Sequence, residues 1–592
     1  MPAYMFVVVI ILSVVLLIAL GGAAYACTGV YVGRQCTEDG SAIIARCNDY
    51  HPLAKFPHLR ITPAVRNSPG RTVNGINGFK WELPADTYKY ISVPYPEVSD
   101  DGTFASVASN EHGVSMTATI TGYNCEAVKK GDPNVPDGVA EEVIPDILAA
   151  CCKTSREAAE LLARVVDEKG SAEQNIVMIA DQKETWYMEI YSGHQYCAVK
   201  LPEDKAAAFG NEFMLETVDP DSDDVICSKE LFSLPEKAGF AEYDPDGRMN
   251  LFHTYSGRDR LAEFSNLRTW MTHKLLAPST VSDKYQKIKY PFLFTPDKKV
   301  GLSDIFALYR NRYEGTEFSP DETGRGDVYI IGTEAQQEVH VVQVFPDLPP
   351  EMNSVIWLTL SESLHAPFIP ISNLITDASP YYTASTDKYA LNDNMAFSIY
   401  KRLNTLCART RKATSAGVRE YWELIEKKLI SDMPAVLAKT ADEYRKDPEA
   451  ARKYINAWCS SVQEAAVYDA KRLFDDVLWY LILNTETKEY DTNFETLQFA
   501  PEKHKFLPFE ATVDAAAAAE ALGWRAEPGA DKGTLVLRNG AKTITLTASN
   551  GHRKDNGSVK VSGQDKPEAY AVTEKDGRIY IPLSALRLLQ QT

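Results

Sequence analysis

Cys27-Thr28-Gly29-Val30-Tyr31-Val32 leads through the turn signal Glu38-Asp39-Gly40 into Ser41-Ala42-Ile43-Ile44-Ala45-Arg46, and Cys47-Asn48-Asp49 follows. Thr28–Val32 and Ser41–Arg46 are short β-favouring runs, so residues 27–49 read as a hairpin. Folding it carries Arg46-Cys47-Asn48-Asp49 back toward Cys27. A thiol attacks a carbonyl best as thiolate and needs a nearby base. If Cys27 were the first residue of a processed chain, its own amine, with an ordinary pKa of roughly 7.7–8.0, would be that base. Arg46 could then hold the thiolate by charge and Asp49 could orient the ammonium. Taken singly, Cys27 is also compatible with an incidental or lipid-bearing cysteine, and Arg46 with Asp49 with a surface ion pair. Their combination at this topological distance points to a nucleophile.

The residues before Cys27 fit that reading. Phe6 to Leu20 is nearly all Val, Ile and Leu, and no charge appears before Arg34. Ala24-Tyr25-Ala26 gives the small-x-small pattern that signal peptidase reads, with Cys27 next. Residues 1–26 are therefore expected to be a signal peptide on an exported protein, secreted or held at the cell envelope. Met1–Met5 lacks Lys and Arg, and the apolar run approaches a membrane span, so a retained anchor helix is the alternative. Export permits disulfides, but the ten cysteines contain no CxxC pair and their spacing gives no connectivity.

Further along, Phe104–Ser109 and Val114–Thr121 read as strands about the turn Asn110-Glu111-His112-Gly113. Thr154 or Ser155 caps an amphipathic helix to about Glu168. Asn175–Ala180 with Thr185–Tyr191, and Val328–Ile331 with Glu338–Phe345, read as two more hairpins. Antiparallel pairs dominate to about residue 360, which favours an α+β layered fold. From 390 to 482 the periodicity turns helical over Leu391–Arg409, Val418–Lys428 and Glu449–Leu483, giving a helical tail to a domain spanning 27–500. A composition break near 500–512 precedes a small α+β module at 512–592, built on the Asn539-Gly540 hairpin and closed by Ile579–Leu589.

The chain has 592 residues, too many for one ordinary core. Its 62 basic and 81 acidic side chains give a net charge of -19. Such a chain repels phosphate backbones, which argues against nucleic-acid partners. No phosphate loop, dinucleotide fingerprint or metal-ligand cluster stands out, so neither cofactor nor metal is expected.

Several spaced blocks resemble the dipeptidase A family of cysteine N-terminal nucleophile hydrolases, relatives of penicillin V acylase and bile salt hydrolase. They are Cys27-Thr28 with Val32-Gly33, Asp39-Gly40-Ser41, Ala45-Arg46 and Asn48-Asp49, then Ser109-Asn110-Glu111-His112-Gly113-Val114 with Thr117-Ala118-Thr119. Ile179-Ala180-Asp181, Gly210-Asn211-Glu212 and Glu338-Val339-His340 continue the likeness, which covers about residues 27–480. The resemblance implies an αββα sandwich and assigns roles. Cys27 is nucleophile and, through its amine, base. Arg46 and Asp49 activate and orient it. Oxyanion donors are the backbone N–H of Asn110 and the side chain of Asn211, and Arg268 is the candidate for a later arginine. Family relatives read Arg-Asn-Asp without the intervening Cys47, so Asn48 or Asp49 could face the amine; the acylase spacing favours Asp49. His112 and His194 are expected to be structural. The implied substrate is a dipeptide or short peptide with a free N-terminus. The alternatives are an acylase with the same machinery and a non-catalytic envelope lipoprotein. Residues 512–592 resemble the N-terminal domain of copper amine oxidases, through Ala521-Leu522-Gly523-Trp524 and Ile581-Pro582-Leu583. That implies a cell-envelope partner and no copper chemistry.

Overall fold

A computed structural model describes residues 27–49, 56–95, 104–120, 122–257, 260–385, 391–487, 512–548, 558–562, 568–569, 572–575 and 577–582. The expected signal peptide, the break near 500 and the end of the terminal segment lie outside them. Through residue 372 the strands are β1 (Gly29–Val32), β2 (Ala42–Asp49), β3 (Arg60–Thr62), β4 (Thr72–Asn74), β5 (Lys80–Glu82), β6 (Tyr90–Tyr95), β7 (Phe104–Asn110), β8 (Ser115–Ile120), β9 (Asn175–Ala180), β10 (Thr185–Ile190), β11 (Tyr196–Leu201), β12 (Ala206–Phe209), β13 (Val225–Cys227), β14 (Leu293–Phe294), β15 (Gln336–Val344), β16 (Ser354–Leu360) and β17 (Ile369–Ser372). They build a seven-stranded sheet, β14-β12-β1-β2-β15-β16-β17, and an eight-stranded sheet, β13-β11-β10-β9-β8-β7-β6-β3.

Side-chain alternation along each strand sorts the residues into layers. On β10, Trp186, Met188 and Ile190 join a core shared with helices Ile144–Cys151 and Ser155–Lys169, while Tyr187 turns to the seven-stranded sheet. On β8, Met116 and Ala118 take the helix side. Thr117 therefore faces the other sheet, where it meets Arg46 of β2. Helix Glu263–Leu276 covers the far face of the seven-stranded sheet over β12, and later helices cover β16 and β17. The result is the αββα sandwich.

Residues 328–331 are not a strand, contrary to the hairpin expected there. The partners of β15 are β2 on one side and β16 on the other, so no edge is left for a third strand. The segment instead sends the Tyr329 hydroxyl to Asp49 at 3.1 Å. The helical tail is longer than its periodicity suggested. It comprises Ala396–Arg409, the 36-residue Arg411–Lys446, which runs through Pro434, and the 40-residue Pro448–Thr487. The fully buried pair of Arg310 and Glu426, at 2.6 Å, fastens it to the sandwich. The strands Thr512–Asp514, Thr573–Lys575 and Arg578–Pro582 pair beside a five-stranded sheet that contains the Asn539-Gly540 hairpin. Trp524, Leu537, Ile544, Leu546 and Ile581 make a core of their own there. Among the described residues it docks on helix Pro448–Thr487 with hydrogen bonds from the Asp514 N–H to Ser461 and from the Tyr580 hydroxyl to Glu464, and with Leu522 packed against the main core.

Candidate active site

The site sits where β1 begins between β2 and β12. Gly29 pairs with Arg46 on one side and Phe209 on the other. Carried two residues outward, the same registers set Cys27 beside Asn48 and Asn211. Residues directly opposite in an antiparallel pair share a face, so Cys27 lies on the Arg46 face, toward the eight-stranded sheet. Arg46 Nη1 donates to Cys27 Sγ at 3.1 Å. Gly29 makes room for the ring of its partner on β12: a Cβ there would stand 2.0 Å from the Phe209 ring. Gly210 does the same one strand over, because its missing Cβ leaves room for the Ser265 backbone at the start of helix Glu263–Leu276.

That helix delivers Arg268 one turn later. Its guanidinium donates to the Cys27 carbonyl, to Thr28 Oγ1 at 3.3 Å and to Asn211 Oδ1 at 2.6 Å. Asn211 Oδ1 also accepts the Cys27 N–H at 3.0 Å. The nitrogen that processing would turn into an ammonium thus already faces an oxygen. Asp49 lies on the opposite face of β2 from Arg46, with Cys47, in line with the Arg-x-x-Asp spacing. A bulge between Gln336 and Glu338 of β15 bends the ladder there.

Burial governs the electrostatics. Cys27 is 5% exposed and Arg46, Asp49 and Arg268 are fully buried. Burial pushes the Cys27 thiol above its ordinary value; Arg46 pulls it back, and the carboxylates of Glu141 and Asp49 raise it again. Burial also pushes the Asp49 carboxyl up to about 7, against the Arg268 cation and the Tyr329 hydrogen bond.

The model of Peptidase family C69 matches residues 26–424. The chain belongs to that family. It is 32% identical over 459 residues to a probable dipeptidase B of Streptococcus pyogenes serotype M1, covering 75% of this chain and 91% of that one. Over 355 residues it is 30% identical to a probable dipeptidase of Salmonella dublin, covering 59% and 81%. Among solved structures, a variant of conjugated bile acid hydrolase from Clostridium perfringens is similar at 13% identity and a TM-score of 0.27, over 58% of this chain and 92% of that one.

Of the sequence-derived candidates in this C69 peptidase, Cys27, Arg46, Asp49, Asn211 and Arg268 converge. Asn110 does not. Arg46 Nη2 donates to the carbonyl of Ser106 at 3.1 Å, and Asn110 lies four residues further along β7, about 13 Å at strand rise. Its N–H, assigned to an oxyanion, donates to the Val114 carbonyl at 3.0 Å. Its side-chain oxygen accepts from the N–H groups of His112 and Val114, and its amide donates to the carbonyls of Ala149 and Cys152. Asn110 is a turn residue whose polar groups are spent on the turn and the helix behind it. The His194 ring pairs with Asp132 at 2.8 Å, and His112 stacks edge-on to Tyr88.

Two groups in the site were given no role from the sequence, although Glu338-Val339-His340 is among the stretches that carry the resemblance. Arg46 Nε donates to Thr117 Oγ1 at 2.9 Å, Thr117 meets His340 Nε2 at 2.9 Å, and His340 Nδ1 meets Glu338 at 2.9 Å. The register places His340 opposite Arg46 on β15. Its alternation with Glu338 on one face was the available signal. The other group is Glu141, whose Oε1 lies 3.6 Å from Arg46 Nη1. Nothing local in the sequence linked it to β2. No helix among the described residues is long and apolar enough to cross a membrane.

Proposed function

We propose that the chain is an exported dipeptidase that acts after cleavage before Cys27 and carries its acyl-enzyme on that residue. The contact of Arg46 Nη1 with Cys27 Sγ, 3.1 Å long and fully buried, carries the reading. The freed α-amine of Cys27 takes the thiol proton, directly or through water. The thiolate attacks the peptide carbonyl: the Sγ–C bond forms and the carbonyl electron pair moves onto oxygen. With Oδ1 of Asn211 turned to the Cys27 nitrogen, its amide N–H group is the donor for that oxyanion. Collapse breaks the C–N bond, and the ammonium hands its proton to the leaving amine. Water then attacks the thioester, its proton passes to the α-amine and on to the departing thiolate, and the N-terminal amino acid leaves as the thiol is restored. Asp49 and Asn211 Oδ1 orient the ammonium throughout. The peptidase family and relatives named as probable dipeptidases support short peptides as substrates. Residues 512–592, docked on the outer helix, would meet a cell-envelope partner.

Mass and N-terminal sequence of the protein from its exporting host test the first step. A free Cys27 terminus is expected, and a retained leader or a lipidated Cys27 would defeat the mechanism. Cleavage of a dipeptide panel, lost in Cys27→Ala, tests the second. Turnover of N-acyl amino acids instead would make the enzyme an acylase.

A further inference from the structure

Two cysteines with no part in the reaction face each other at the rim of the eight-stranded sheet. β13 is an edge strand of that sheet and pairs antiparallel with β11, setting Cys197 opposite Cys227, Ala198 opposite Ile226 and Val199 opposite Val225. The Ser228 N–H donates to the Tyr196 carbonyl at 3.1 Å, and the Lys200 N–H to the Asp224 carbonyl at 2.9 Å. Directly opposed pairs alternate along an antiparallel ladder between hydrogen-bonded and non-hydrogen-bonded. Those bonds join the residues flanking the cysteines, so Cys197 and Cys227 form a non-hydrogen-bonded pair. In such a pair the Cα atoms stand about 4.5 Å apart and the side chains lean together. A disulfide spans Cα separations of roughly 4.4–6.8 Å. Both side chains also share a face: Cys197 lies in the core between the two sheets and Cys227 packs against it, while Ala198 and Ile226 turn to the helix side. Burial raises the Cys197 thiol, and the neighbouring Cys227 sulfur raises it further. The structure holds both as thiols, Cys197 buried and Cys227 half-buried, within reach of a reagent.

We propose that Cys197 and Cys227 are joined by a cross-strand disulfide in the mature protein. The oxidant is a disulfide of the exporting compartment, from a protein or a small thiol. The Cys227 thiolate attacks one of its sulfurs, a mixed disulfide forms and the first thiolate leaves. Cys197 then attacks the Cys227 sulfur, the Sγ–Sγ bond forms and the second thiolate leaves. The two cysteine protons end on the departing thiolates, so the pair loses two electrons and the oxidant becomes a dithiol. The bond would clip a strand that needs it. β13 has three residues and a single neighbour, β11. The bond would also close a loop of about 30 residues that runs through β12 and Asn211. That segment is already held midway, where the Met214 and Leu215 N–H groups donate to the buried Glu189 carboxylate. Export supplies only the oxidant; the pairing itself follows from the register.

The test takes the protein from its exporting host, blocks free thiols with N-ethylmaleimide in denaturant and digests it with trypsin without reductant. Lys183 and Lys200 bound the peptide with Cys197, Lys205 and Lys229 bound the peptide with Cys227, and neither has a second cysteine. The expected product is the two peptides linked, separating on reduction. Both peptides carrying maleimide, in a protein whose terminus is a free Cys27, would overturn the inference. A chain that keeps its leader would defeat the export reading instead. The same digest is then made on chain unfolded in reductant and refolded with oxidised glutathione, where the linked peptide supports the pairing and its absence overturns it. Reductant should lower the thermal midpoint of the oxidised enzyme by roughly 3–5 °C. Cys227→Ser should unfold at the reduced midpoint and ignore reductant. An oxidised parent equally indifferent to reductant would refute the clip. The digest needs no variant, so it decides even if Cys227→Ser fails to fold.

Discussion

At the scale of single residues, the site depends on one guanidinium held from several sides. Arg46 reaches Cys27 Sγ, Thr117 Oγ1 and the Ser106 carbonyl with separate nitrogens. Lysine has the charge but not the fork. Arg46→Lys should therefore keep the fold, cut kcat about 100-fold and move Cys27 alkylation to higher pH; unchanged alkylation would show that charge alone suffices. Behind the fork, His340→Phe removes the Thr117 contact and strands Glu338 in the core. It is expected to cost about 3 kcal/mol of stability, read by denaturant unfolding, with a fall in kcat that Glu338→Gln shares only in part. Asp49 supplies a pH signature. Burial lifts its carboxyl to about 7, above the unfolded value near 4. The native state then keeps a proton that the unfolded chain releases, so stability falls as pH rises from about 4 to 7 and levels off beyond. In the unprocessed chain, Asp49→Asn should match the parent near pH 4 and exceed it at pH 8 by on the order of 3 kcal/mol. Parallel stability curves would refute this. In the processed chain the Cys27 ammonium offers a counter-ion, and the difference should shrink.

At the scale of elements, strand alternation and two missing Cβ atoms place the site. Gly29→Ala would drive a methyl into the Phe209 ring, with an expected cost of about 1–3 kcal/mol. Thermal unfolding should show the loss, and Phe209→Leu in the same chain should recover part of it. No recovery would mean that the clash is not what the alanine costs. This hairpin was the most legible part of the sequence. Its β-favouring runs and Glu38-Asp39-Gly40 turn are local signals, and pairing in that register brings Arg46 and Asp49 to Cys27. The resemblance to relatives supplied Asn211 and Arg268, which local pattern alone did not. What failed had non-local causes. Val328–Ile331 has strand composition, but β2 and β16 had already taken both edges of its intended partner. Asn110 carries the right motif, but an asparagine three residues before Gly113, whose φ is 75°, is also what a tight turn needs, and the turn and the helix behind it use its polar atoms. Glu141 lies 95 residues from Arg46 in the chain, and only the packing of its turn on β7 and β8 brings the two together.

At the scale of the molecule, the sandwich and residues 512–592 differ in how much they depend on each other. The long tail belongs to the sandwich, since Glu426 lies within the buried fork of Arg310 and also accepts the Phe368 N–H at 2.8 Å. Deleting that tail would strand a buried arginine. The C-terminal strands instead close on their own core around Trp524 and Leu537 and meet helix Pro448–Thr487 through polar contacts at Ser461 and Glu464, with Leu522 packed against the main core beside them. Hydrogen bonds of that kind contribute about 1 kcal/mol each, and none of these residues neighbours Cys27. A chain ending near residue 500 should therefore keep kcat/KM for dipeptides within about twofold of the full enzyme, while its midpoint of thermal unfolding drops by only a few degrees. Loss of turnover in a folded truncation would show that the module shapes the site. If turnover survives, binding of the full and shortened chains to isolated envelope material becomes the direct assay of what those residues are for, because the sandwich is then common to both and only the module differs.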